Sequence, residues 1–73
     1  MKNNKEFYAE IGRRIKDKRI SEGFSREKLA TMSHISDKFL YDIEVGKKGM
    51  SADTLHKIAE ALEVTSDYLL TGT

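Results

Sequence analysis

A chain of 73 residues with no Cys and no Pro has room for one domain with one core, and it excludes disulfides and thiolate metal sites, so its stability rests on packing or a partner. The net charge is only +1, but it is unevenly spread: residues 1–28 hold nine Lys/Arg against five Asp/Glu, and residues 29–73 hold four against seven. A basic half of this kind suits a phosphate surface, and it suits a mixed solvated surface equally well.

In chain order, residues 1–5 read as a flexible polar arm. A basic start with no apolar run behind it is not a signal peptide. No later stretch is long and apolar enough to span a membrane. The first helix is expected from about Glu6 to Glu22. Phe7, Ile11 and Ile15 recur every four residues, with Tyr8, Gly12 and Arg19 on the same face, and Gly23 supplies the stop. Ser25 is the expected cap of a two-turn second helix, Arg26 to Met32, with Glu27 placed to suit the helix dipole.

Ser33-His34-Ile35 is a tight connection. Ser36 caps a third helix, Asp37 to Val45, and Gly46 ends it. Lys47-Lys48-Gly49-Met50 forms a basic loop. Ser51 then caps a fourth helix, Ala52 to Leu62, whose Leu55, Ile58, Ala59 and Leu62 follow the spacing of a core-facing stripe. Thr65 caps a short fifth helix, Ser66 to Leu70. No repeat, low-complexity tract or linker is visible, so residues 6–73 read as a single all-α domain.

Residues 26–45 are the informative unit: two short helices joined by a tight turn. Ala30 is small where the next helix must cross closely, and Leu29, Ile35, Leu40 and Ile43 fix the crossing. Together with "GFSREKLA", "IEVGKKGMS" and "TLHKIAEALEVTSDYLL", this pattern resembles the lambda-repressor and Cro group of helix-turn-helix regulators. The likeness covers nearly everything after the arm. It implies a compact five-helix lambda-repressor-like fold, with helices 2 and 3 as the DNA-binding motif and helix 3 in the major groove.

The sequence departs from the family pattern at four places. Arg26 stands where Gln is usual, and the Pro usual near Met50 is missing. His34 and Glu63 stand where Gly is usual, and the turn position of His34 calls for positive φ.

The resemblance also assigns roles. Asp37, Lys38, Phe39 and Asp42 are expected to meet base edges, Lys38 at guanine, Asp42 at a cytosine amine and Phe39 at a thymine methyl. Arg26, Ser36, Tyr41, Lys47 and Lys48 are expected to touch the DNA backbone. Arg19 and Glu44 are expected to form a partly buried structural ion pair.

Helix 3 is electrostatically a poor match to DNA, with Lys38 set against Asp37 and Asp42. The alternative is a protein-interaction module of the same fold, anchored by Phe39 and Tyr41. Tyr68, Leu69 and Leu70 suit a core role and a dimer contact equally. The expected partner is double-stranded DNA, bound by a chain that is a homodimer at least on DNA; the expected location is cytoplasmic and nucleoid-associated, for a bacterial or phage protein, and a protein partner is the alternative. No cofactor or metal is expected: His34 and His56 lie far apart, and there is no phosphate loop or catalytic triad, so the chain does not read as an enzyme.

Overall fold

The computed structural model describes residues 3–73. It contains helices α1 (Asn4–Ser21), α2 (Arg26–Met32), α3 (Asp37–Glu44), α4 (Ala52–Leu62) and α5 (Ser66–Thr71), with no strand among the described residues. This is the expected all-α, five-helix arrangement. The long α1 lies across α3, α4 and α5, while α2 packs on α3 and α4.

Each start follows one rule. The side chains of Asn3, Ser25, Ser36, Ser51 and Thr65 each accept the backbone N–H three residues on, which satisfies one of the unpaired donors of a first turn. Asn3 is the one cap not anticipated. Because it caps α1, Asn4 and Lys5 are helical and do not belong to an arm; the rest of the expected arm, residues 1 and 2, lies outside the described residues.

The first four helices also end alike. In each, two successive N–H groups turn back onto the last turn, as in Phe24 to Arg19 O with Gly23 to Ile20 O, and Ile35 to Ala30 O with His34 to Thr31 O. The residue at the bend adopts the left-handed conformation: Gly23, His34, Gly46 and Glu63. His34 sits at φ 58° and Glu63 at φ 57°, where a Cβ is unfavourable by about 1–2 kcal/mol. Both side chains are exposed, so little packing is lost by removing them. Glycine also enlarges the unfolded ensemble, which offsets about 0.4–1 kcal/mol of the relief. His34→Gly and Glu63→Gly are each therefore expected to stabilise by about 0.5–1 kcal/mol, a rise of a few degrees in Tm. A thermal melt in which either variant unfolds earlier than the parent contradicts this reading of the two turns.

The core draws Ile11 and Ile15 from α1, Leu29 and Ala30 from α2, Leu40 and Ile43 from α3, Leu55, Ile58, Ala59 and Leu62 from α4, and Leu69 from α5. Leu69 is thus a core residue, with Tyr68 and Leu70 half-buried beside it. Phe7 departs from its expected place, being 37% exposed. Just after the first turn of α1, Tyr8 and Ala9 lie against Gly49 and Gly46 of the loop after α3, and Tyr8 packs on the core. Gly49 lies so close to the Tyr8 ring that a Cβ on it would fall 2.5 Å from Cζ.

Candidate nucleic-acid interface

Three successive backbone N–H groups close the turn between α2 and α3: those of Ser33, His34 and Ile35 all donate back into α2. Ser36 then caps α3 by accepting from Phe39 N–H at 3.0 Å. These contacts fix where α3 starts. Where it ends is fixed from the other side, by α1. Gly12 is buried against the last turn of α3, and a Cβ on it would overlap the carbonyl oxygen of Ile43.

Arg19 adds a second tie. Its Nε donates to Glu44 Oε2 at 2.7 Å and its Nη2 to Oε1 at 3.1 Å, while Nη1 donates to the Phe24 carbonyl at 2.9 Å. The side chains are 11% and 3% exposed. The expected structural pair is therefore present, and it is bidentate. It joins α1, the first turn and α3 at one point.

Held between these ties, α3 turns its N-terminal half outward. Asp37, Lys38 and Tyr41 are exposed. Phe39 is only half-exposed and packs against the core, so its ring is shared between the interior and the surface. Arg26, from the start of α2, reaches across to this face. Its Nε donates to Asp37 Oδ1 at 2.7 Å, and its guanidinium carbon lies 5.1 Å from the centre of the Tyr41 ring. The hydrogen bond to Asp37 raises the Arg26 pKa above its ordinary value. Arg26, Asp37 and Tyr41 are thus one cluster, where the sequence suggested three independent contacts.

Asp42 is the clear correction. It was expected to read a base, yet its side chain is 1% exposed. The carboxylate accepts from Lys38 Nζ at 3.0 Å on each oxygen, and Lys48 Nζ lies 3.5 Å from Oδ2. Its carbonyl accepts from the N–H groups of Lys47 and Lys48 at 2.8 and 3.3 Å. Asp42 is therefore enclosed by the basic loop and cannot also meet a cytosine amine in this arrangement. The signal was available in sequence, since Lys38 and Asp42 stand four apart on a helix.

The Lys38 hydrogen bonds hold the Asp42 carboxyl below its ordinary value of 3.8, against the opposing effect of burial and with further help from Lys48. A carboxylate whose folded pKa is depressed stabilises the fold fully above its unfolded pKa and loses that contribution as pH falls through the folded value. The difference in urea midpoint between the parent and Asp42→Asn should therefore be constant at neutral pH and shrink below about pH 4. A difference that stays flat into strong acid contradicts the charged pairing.

Lys47 and Lys48 are exposed on the loop after α3. No cluster able to hold a metal ion occurs among the described residues, and no described helix is long and apolar enough to cross a membrane.

A family profile described as "Helix-turn-helix domain" matches residues 12–73. The chain belongs to the helix-turn-helix family. The matched span includes α2, its turn and α3, together with the Arg19–Glu44 tie and the Lys47–Lys48 loop. A curated relative, the SPbeta prophage-derived uncharacterized HTH-type transcriptional regulator YonR of Bacillus subtilis (strain 168), is 36% identical over 63 residues. That alignment covers 86% of this chain but 58% of the relative, so the chain spans less than two thirds of that protein's length.

Among solved structures, the restriction-modification controller protein C.AhdI from Aeromonas hydrophila superposes with a TM-score of 0.82 at 27% identity, covering 85% of this chain and 94% of that one. An HTH_3 family transcriptional regulator from Vibrio cholerae superposes at 0.87 and 28% identity, covering 96% of this chain and 39% of that one. The helix-turn-helix expected from residues 26–45 is thus matched in sequence and in backbone.

Proposed function

We propose that the chain is a sequence-specific double-stranded DNA-binding transcriptional regulator, a repressor, that places α3 in the major groove. The observation that carries this reading is the outward N-terminal half of α3, rigidly held and flanked by Arg26 on one side and Lys47 and Lys48 on the other. Such a layout suits base contacts at the centre and phosphate contacts at the edges. Lys38 and Asp37 face the bases, with the exposed edge of Phe39 beside them. Arg26, Ser36, Tyr41, Lys47 and Lys48 face the backbone. The names of the relatives, transcriptional regulators and a controller protein, support the same role.

A surface this small meets few bases. Affinity then comes from a homodimer on two half-sites spaced about 34–36 Å, one helical turn, apart. The regulator works in the cytoplasm of a bacterium, on chromosomal or phage operators. The competing reading, a protein-binding module, draws on the exposure of Tyr41 and Val45.

Selection from random duplexes tests the proposal. A two-fold related site should be enriched, and Lys38→Ala should abolish the preference. Lys47→Ala should weaken binding to all sequences alike and make the log–log salt slope shallower by about one. If no site is enriched and retention on DNA is weak for every duplex, α3 is not a DNA reader, and Tyr41 becomes the place to seek a bound protein.

A further inference from the structure

Asp42 is not needed to build a helix, to cap one or to fill the core, yet it is buried with its charge. Its two oxygens face two lysines from different elements, Lys38 on α3 and Lys48 on the following loop. Those lysines are 72% and 58% exposed, so their ammonium groups stand at the surface while their partner does not. Two of the three donors of Lys38 are taken up, one on each carboxylate oxygen, leaving one for an outside acceptor. A lysine on a bare helix surface samples many rotamers and acts as a loose point charge. A lysine clamped at both oxygens of a fixed carboxylate offers a directed donor.

We infer that Asp42 is a positioning residue for sequence discrimination: it holds Lys38 and Lys48 in register on the DNA-reading face and removes one unit of their indiscriminate attraction to phosphate. This inference rests on the DNA-binding reading above. It makes two effects move in opposite directions. Without the carboxylate, the two lysines are freer and carry one more net charge. Binding to any duplex becomes tighter, and the preference for the right one falls. A residue that merely supports the fold would weaken both.

The test compares the full chain with Asp42→Asn on the duplex selected by the parent and on a scrambled duplex of equal length, across a salt series. The expected result is tighter binding of Asp42→Asn to the scrambled duplex, with the selected-to-scrambled ratio reduced by about tenfold, within the worth of one well-placed base contact. An unchanged ratio, or parallel loss on both duplexes, overturns the inference while leaving the DNA-binding reading intact. A parent that does not distinguish the two duplexes overturns both.

A second measurement needs no variant at position 42. In the parent carrying 13C,15N-labelled lysine, which keeps all three ammonium donors, the Cε and Nζ signals of Lys38 and Lys48 should move together as the Asp42 carboxyl titrates in acid. Assignment comes from Lys38→Arg and Lys48→Arg. If neither signal moves, the clamp does not exist in solution and the inference falls even if Asp42→Asn cannot be folded.

Discussion

Gly12→Ala is expected to lower the thermal midpoint by about 10 °C, although alanine is the better helix former. Two effects compete at this position. Alanine in the interior of α1 gains about 0.8–1 kcal/mol of helix propensity. The new Cβ, however, would overlap the Ile43 carbonyl oxygen and lie 2.7 Å from the carbonyl oxygen of Glu44 and 2.9 Å from its carbon. The obstacles are backbone atoms of α3, so no side chain can turn aside. Overpacking of this kind costs about 1–3 kcal/mol and sometimes more, so the clash wins. The helices must separate, and α3 then leaves the position that α1 gives it. A melt in which Gly12→Ala is as stable as the parent would show that α1 and α3 do not cross this closely.

Breaking the Arg19–Glu44 pair is expected to destabilise by about 3–5 kcal/mol, whichever partner is removed. Burial decides the magnitude. An exposed pair contributes about 0–1 kcal/mol, but these side chains are 11% and 3% exposed and share two hydrogen bonds. Arg19→Met leaves the Glu44 carboxyl enclosed without its partner; Glu44→Leu strands Arg19, which also loses its reason to reach the Phe24 carbonyl. A chain of this length is stabilised by only about 4–11 kcal/mol in total, so either change removes a large part of it. The double variant Arg19→Met/Glu44→Leu should recover most of the loss, because well-packed apolar groups replace a buried pair at little cost. Urea denaturation of the three variants checks this. Single variants within about 1 kcal/mol of the parent would mean that the pair is solvated after all.

Both predictions concern residues whose importance was only partly legible in the sequence. Arg19 and Glu44 lie 25 positions apart, and only the family resemblance joined them. Gly12 was visible as a small residue on the inward face of α1, but a face says nothing of how near the next backbone comes. Local chemistry was easier to read. Ser25, Ser36, Ser51 and Thr65 are caps because a short side-chain oxygen can reach a free N–H three residues on, and that depends on nothing distant. The same holds for the stripe of α4, which is buried as expected.

Periodicity failed where the partner was missing. Phe7 follows the same four-residue spacing as Ile11 and Ile15, yet it is Tyr8 that meets the glycine-containing loop and packs on the core. Asp42 failed for the opposite reason. A charged residue on a recognition helix invites an outward reading; its spacing from Lys38 carries the ion pair, but the second lysine, Lys48, comes from a loop whose path the sequence does not state. The pairing of Arg26 with Asp37 was hidden in the same way, since it crosses the turn between α2 and α3.

The most direct test of the central claim, that α3 and its basic flanks form a DNA-reading surface, is a titration of the 15N-labelled chain with its selected duplex, followed by amide NMR shifts. The largest changes should fall on Arg26, on Ser36 to Phe39, on Tyr41 and on Lys47 and Lys48, with α4 and the Arg19–Glu44 tie nearly still. Changes centred elsewhere on the chain, or none at saturating duplex, would contradict the account and remove α3 from the groove.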